Sequence, residues 1–227
     1  MSTSISVILP ALNEAEGIGR ALAAAEAPGI ERIVVDGGSR DNTVEIARSS
    51  GATVLTSSPG RARQLNAGAR AAAGEYLLFV HADTCLPSQF AEEVQRTLTL
   101  PGVAAGTFHL RIDGAGWGFR LIERAANLRS AYLELPYGDQ GIFLRAELFR
   151  KIGGYPELPF MEDFEMARRL RRAGRIATAP AAVLTSARRW KRLGVLRATL
   201  LNQLFLLAYL AGMPPRRIAR WYYGESR

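Results

Sequence analysis

The chain has one cysteine, Cys85, and two histidines, His81 and His109, in 227 residues. A single cysteine excludes an internal disulfide framework and any cysteine-based zinc site, and it suits a reducing compartment. Uninterrupted apolar runs long enough to cross a membrane are missing too. The stretch Ala198 to Met213, which has no charge, falls short of the ~20 apolar residues that a span needs and carries Asn202-Gln203 inside it. Met1-Ser2-Thr3-Ser4 leads straight into an apolar strand with no basic or apolar leader region, so no secretory signal is expected. Repeats, low-complexity tracts and linkers are absent as well. What remains is 48% hydrophobic and 22% charged, a balance that excludes a disordered or fibrous chain and suits one domain over residues 1–227.

Acids are scarce in one region alone. Residues 1–167 carry 15 basic and 20 acidic groups, whereas residues 168–227 carry 14 basic and one acidic, a balance of +13 within a net charge of +8. Nearly all of these cations are arginines, which fork onto phosphates better than lysines do. Such asymmetry fits an anionic partner: a membrane surface, a phosphorylated substrate or nucleic acid. The apolar segment 198–213, with arginines on both flanks and Trp221-Tyr222-Tyr223 behind it, reads as a helix packed on the core, on a second copy of the chain or on a bilayer interface.

Through the first hundred residues apolar runs alternate with helical patterns. Strands are expected at Ile5 to Leu9, Arg32 to Asp36, Thr53 to Thr56 and Tyr76 to Val80, with helices at Glu14 to Ala24, Thr43 to Ser50, Arg61 to Ala73 and Pro87 to Thr97. This βαβ order implies parallel strands, right-handed crossovers and a three-layer α/β core. Beyond Pro101-Gly102 the pattern predicts strands at Val103 to Arg111, Gly141 to Leu144, Ile176 to Ala179 and Val183 to Thr185. Helices are predicted at Trp117 to Ala131, Arg145 to Ile152 and Glu162 to Ala173.

Two strands end in carboxylates, Val34-Val35-Asp36 and Phe79-Val80-His81-Ala82-Asp83. Ligands of open parallel sheets bind beyond the carboxyl ends of the strands, so both acids are expected at one site. Asp36, at the end of a buried strand, needs donors, and a nucleobase imide would supply one. Asp83 suits a hard divalent cation on a diphosphate, and His81 would favour Mn²⁺ over Mg²⁺. Asn13 and Glu14 fit an N-cap and first turn, or a loop closing over a nucleotide. Arg61 and Arg63 open a helix where phosphate is attracted, and Asn66 shares a face with Arg63. Glu162 and Asp163 begin another helix, where acids complement the dipole or supply an acceptor-activating base.

Taken together, Val7-Ile8-Leu9-Pro10-Ala11-Leu12-Asn13-Glu14, Val35 to Thr43, Arg61 to Gly68, His81-Ala82-Asp83 and Glu162-Asp163 resemble the family 2 glycosyltransferases of GT-A fold. The resemblance runs from residue 5 to about 180. It implies an α/β/α sandwich with a mostly parallel central sheet, and inverting transfer from a nucleotide-sugar, usually a UDP-sugar, to an acceptor hydroxyl with a divalent metal. Residues 1–100 would form the donor half, 101–190 the acceptor side and 191–227 an apolar helix and basic tail.

On that resemblance Pro10, Asn13, Glu14, Asp36, Arg63, Asn66 and Ala82 make up the donor-binding set. Asp83, with His81 in place of the usual first acid, makes up the metal set. Asp163 is the general base, paired with Glu162. The protein would be cytoplasmic, with peripheral contact at the inner face of the cell membrane through 191–227, with a homodimer as the other use of that segment, and without nucleic acid. His81 to Thr84, Tyr137-Gly138-Asp139-Gln140-Gly141 and Arg188-Arg189-Trp190 resemble, more finely, a small bacterial subfamily associated with radical-SAM/selenodomain proteins. The rival from another class is a non-catalytic nucleotide-sugar binder or membrane-docked scaffold of the same fold. A nucleotidyltransferase would need a glycine-rich loop with lysine after the first strand, and Pro10-Ala11-Leu12-Asn13 lacks it.

Overall fold

Four parallel strands begin the sheet: β1 (Ile5–Ala11), β2 (Ile30–Asp36), β3 (Thr53–Thr56) and β4 (Tyr76–Phe79). In the computed structural model, which describes residues 4–223, β1 lies between β2 and β4, with Ile5 opposite Ile30 on one side and Tyr76 on the other. Met1-Ser2-Thr3, on which the expectation of no secretory signal partly rests, and the end of the basic tail, 224–227, lie outside the described residues. The sheet then grows through β5 (Thr84–Cys85), β6 (Val103–Asp113), β7 (Ile142–Arg145) and β8 (Arg175–Ser186) to the order β3-β2-β1-β4-β7-β6-β8-β5. Only β7 and β5 run against the rest, so the sheet is mostly parallel, in the GT-A manner.

Helices cover both faces, because successive side chains of a buried strand point to opposite sides and both must be kept dry. Val7 and Leu9 pack with α1 (Ile18–Ala24), α2 (Thr43–Ser49) and the Phe90 and Val94 side of α4 (Phe90–Leu98). Ile8 and Val35 face the other way, onto α3 (Arg61–Ala71), α6 (Ala146–Lys151) and α7 (Glu162–Ala173). α3 lies so close to β1 that a Cβ on Gly68 would stand 2.4 Å from Ile8 Cγ2. This contact sets the height at which the arginines of the first turn of α3 meet the strand ends.

Several expectations need correction. The first helix begins at Ile18, not Glu14, since Glu14 to Gly17 form a turn in which the Glu14 carbonyl accepts from Gly17 and Ile18. The two short segments expected at 176–179 and 183–185 are one strand, β8, whose register slips opposite Phe108 and His109. Pro180 has no N–H to donate, so the ladder bulges there without ending. Two helices beyond the expected ones, α8 (Arg188–Leu193) and α10 (Pro215–Tyr223), flank the apolar helix α9 (Val195–Leu210). α5 (Trp117–Leu133) packs on the β6 side of the sheet.

Candidate functional site

A cavity of about 1240 Å³ opens at the carboxyl ends of β1, β2 and β4. Its wall includes Pro10, Asn13, Glu14, Arg63, Ala82 and Asp83, residues from three separate segments. His81 and Glu162 reach it as well, whereas Asp36, Asn66 and Asp163 do not line it.

The loops after β1 and β2 are stitched to each other. Asn13, in a left-handed conformation at φ 56°, accepts the Arg40 amide on its side-chain oxygen at 2.8 Å and donates its own N–H to Ser39 Oγ at 2.8 Å. Asn13 is therefore a latch between loops and not the helix cap expected from sequence. The Glu14 and Ala15 amides donate to Thr43 Oγ1 and Asp41. Asp36 is 4% exposed, and its carboxylate accepts the amides of Gly38 at 2.9 Å and Ser39 at 3.1 Å. Its donors thus come from its own turn, and Gly37 and Gly38 present the backbone to the cavity in its place.

At the start of α3 the two arginines diverge. Arg63 stays at the cavity rim, 3.3 Å from Glu157, while Arg61 turns inward. Its guanidinium meets Glu162 at 3.1 Å, Asp163 at 3.7 Å and His81 Nε2 at 3.1 Å. An arginine cannot give up its proton, so His81 Nε2 accepts from it. Burial first, and Arg61 second, push the His81 ring well below its ordinary range, which keeps it neutral. This corrects the metal reading of His81, because the nitrogen in question is held by Arg61. Asn66 is corrected as well: its amide accepts from Tyr155 N–H at 2.9 Å and donates to the Tyr155 carbonyl at 2.8 Å. Both of its polar atoms are used in fastening that loop to α3.

Asp83 faces Arg188 of α8, whose guanidinium lies 3.4 Å from the Asp83 carboxylate and also binds Glu14. Two carboxylates from different strand ends thus share one cation. Burial raises the Glu14 carboxyl, the Arg188 hydrogen bond pulls it down, and the Asp83 charge pushes it up again. Among the described residues no group of three or more His, Cys, Asp or Glu side chains could hold a metal by itself. Asp83 and Glu14, hard oxygen donors on one cavity wall, fit a divalent cation that completes its shell with ligand oxygens and water.

Asp163 stands behind Glu162, beside the turn Gly138–Gln140 that precedes β7. A Cβ on Gly138 would lie 2.6 Å from both Asp163 Oδ2 and His81 Nε2, so the two atoms are at most 5.2 Å apart, twice that distance. Only glycine fits at that position. The turn is fixed from below by Gln140, whose amide is bonded to Ser130 at 2.6 Å and to the Phe108 carbonyl at 3.2 Å. Asp139 is thereby held with its buried Oδ1 lacking a protein partner. Burial raises the Asp139 carboxyl, Arg129 opposes the rise, and the Asp163 charge adds to it. Glu162, 7% exposed, is raised by burial, lowered by Arg61 and raised again by Asp163.

One consequence concerns stability. The native state favours protonated Asp139, a contribution present below the ordinary carboxylate range and lost as pH rises through the raised value. Asp139→Asn is therefore expected to melt above the parent at about pH 8, with the gap narrowing toward about pH 5. Thermal denaturation at the two pH values measures it; a lower melting temperature for the variant at about pH 8 would contradict it.

The sequence reading missed Arg61 as the centre of this cluster and Gln64, whose buried amide ties α3 to the Ala11 and Val35 carbonyls at 2.8 Å each. It also treated the basic tail as a unit. Arg216 and Arg220 of α10 line the cavity, and like Arg40 on the same wall they carry no ion pair among the described residues. Their sequence signal was the i, i+4 spacing of two arginines on one face.

No curated protein matches this chain. Solved structures match its fold. Glucosyl-3-phosphoglycerate synthase from Mycobacterium tuberculosis, crystallised with Mn²⁺, UDP and glucosyl-3-phosphoglycerate, is 24% identical at a TM-score of 0.66, over 93% of this chain and 81% of that one. A mannosyltransferase from Pyrobaculum calidifontis, in complex with GDP-Man and Mn²⁺, is 22% identical at 0.66, over 97% and 69%. TarS 1–349 of S. aureus is 20% identical at 0.63; the match takes in 81% of this chain and spans 60% of the TarS length. The family model of glycosyl transferase family 2 matches residues 6–153, which run from β1 through α6 and contain the strand-end loops that build the cavity, and the chain belongs to that family.

Proposed function

We propose that the protein transfers a sugar, with inversion, from a nucleoside-diphosphate sugar to an acceptor hydroxyl. The observation that carries this reading is the cavity at the strand ends, which has Asp83 and Glu14 on one wall and leads through Arg61 and His81 to Asp163. The nucleoside lies against Pro10 to Glu14 and the backbone of Gly37 and Gly38. Arg40, Arg216 and Arg220, which carry no ion pair among the described residues, meet the diphosphate, since charge-assisted contacts to phosphate are the strong ones. Asp83, with Glu14, would hold a divalent cation, which when bound neutralises the departing diphosphate. UDP is the preferred nucleotide. Two of the fold neighbours were crystallised with Mn²⁺, one of them with UDP and one with GDP-Man.

Asp163 accepts the proton of the acceptor hydroxyl as that oxygen bonds to the anomeric carbon. The bond from that carbon to the diphosphate oxygen breaks on the opposite face, and its electron pair leaves with the diphosphate. Glu162 holds Arg61, and Arg61 in turn sets the place of Asp163 and keeps His81 neutral. The Tyr137 to Gly141 turn, one of the segments that resemble the radical-SAM/selenodomain-associated subfamily, supplies Asp139 as a second polar group on the acceptor side. Residues 1–100 then form the donor half. The acceptor side at 101–190 also closes over the donor cavity through Glu157 to Glu162.

The test is a thermal-shift screen of UDP-, GDP-, dTDP- and ADP-sugars with and without Mn²⁺. One nucleotide-sugar is expected to raise the melting temperature in the presence of Mn²⁺ and much less in its absence, because ligand bound to the native state alone stabilises it by mass action. No shift with any of them would overturn the reading.

A further inference from the structure

Large apolar side chains are left in solvent mainly on two helices. On α9 the exposed leucines are Leu196, Leu200, Leu204, Leu207 and Leu210, all within an arc of about 120° at 3.6 residues per turn. Its buried residues, Ala198 and Phe205, lie on the opposite side. On α5, Trp117, Leu121, Leu128 and Tyr132 fall within about 60°, while Phe119, Ala126 and Ser130 are buried behind them. Trp117 and Tyr132 are 78% and 79% exposed, and Leu196 is 73% exposed. Nine such side chains on two helix faces exceed the scattered apolar residues of an ordinary surface.

The helices meet at their first turns, where a Cβ on Gly118 would lie 3.2 Å from Val195 Cγ1. Trp117 and Leu196 are the chain neighbours of that contact, so both stripes start from one point.

We infer that the α5–α9 face docks on the surface of an anionic lipid bilayer. Charge selects the occupant. Arg124 lies on the α5 stripe, Lys191 and Arg192 directly precede α9, and Arg197 sits in its first turn; none of the four has an ion-pair partner among the described residues. From Arg188 to Tyr222 the sequence contains no acid. A second copy of the chain would bring the same uncompensated cations against these, and an acidic lipid surface neutralises them. Geometry selects docking over spanning. α9 has 16 residues, about 24 Å of helix against the roughly 30 Å of a hydrocarbon core, and no helix among the described residues is long and apolar enough to cross. α5, whose exposed stripe begins at Trp117 and ends at Tyr132, lies in the interface plane instead, with the leucines of α9 beside it.

This proposal is independent of the transfer reaction, and its test needs no substrate. The full chain is sedimented with vesicles of phosphatidylcholine alone and with vesicles containing about a third phosphatidylglycerol. Binding is expected to the anionic vesicles and to weaken as salt is raised. Leu200→Glu/Leu204→Glu on α9, and separately Leu121→Glu/Leu128→Glu on α5, should each lower the partition at least tenfold without lowering the melting temperature, since all four side chains are exposed. The α5 variant separates this face from a simple attraction of the basic tail, which would leave its binding unchanged. Parent-like sedimentation of both variants overturns the proposal, as does no binding of the parent to anionic vesicles. A dimer in analytical ultracentrifugation that these substitutions dissociate would assign the face to a second copy and overturn it equally.

Discussion

Asp163→Asn is expected to bind the donor as the parent does and to transfer sugar at least ~100-fold more slowly, the scale of a general-base contribution. The substitution keeps shape and removes the proton acceptor. Asp163 lies off the donor cavity, 3.7 Å from Arg61 and within 5.2 Å of His81 Nε2 (twice 2.6 Å), so its charge reaches the donor wall through Arg61, His81 and the neighbouring Glu162. The ion pair of Arg61 with Glu162 at 3.1 Å survives the change and keeps the first turn of α3 in place. Donor affinity by calorimetry and transfer rate by nucleotide release separate the two effects. A parent-like rate would make Asp163 a helix-start acid that complements the α7 dipole, with Asp139 the next candidate for the base.

Asp83→Ala should reduce metal-dependent binding of the donor nucleotide by at least ~100-fold, roughly 3 kcal/mol, and leave the fold intact. Asp83 is partly exposed at a strand end and contributes no packing to either core cluster. What holds the loop is backbone: the Asp83 carbonyl accepts Ser186 N–H at 3.2 Å, and that bond persists in alanine. Arg188 also matters here. It bridges Asp83 and Glu14, so a divalent cation and this guanidinium compete for the same carboxylates. Calorimetry of UDP with Mn²⁺ measures the loss, and undiminished affinity would remove Asp83 from the metal site.

The parallel half of the fold was legible because its signals are local. Thr53–Thr56 and Glu162–Ala173 stand where the pattern predicts them, the first as a β-branched run between turns, the second as paired acids opening an amphipathic helix. β5 escaped because two residues carry no periodicity, and β8 was split because Pro180 mimics a strand end. In the site, the motifs pointed to the right loops and often to the wrong atom. Arg61 and Arg63 are indistinguishable in sequence, and the burial of Glu162 and His81 decides which one turns inward. Asn66 shares a helix face with Arg63, yet Tyr155, 89 positions on, takes both of its amide atoms. The approach of α10 to the cavity is tertiary. Phe160, just ahead of α7, stacks with Phe205 of α9 and Tyr222 of α10, and such pairings leave no local signature.

The location of a bound metal tests the account most directly. A crystal grown with UDP and Mn²⁺ and measured at the manganese absorption edge should give one anomalous peak at the Asp83 carboxylate, in contact with diphosphate oxygens. His81 should still be turned to Arg61, and Arg188 drawn off Asp83. A peak ligated by His81, or a nucleotide bound in the cavity with no metal at Asp83, would contradict it.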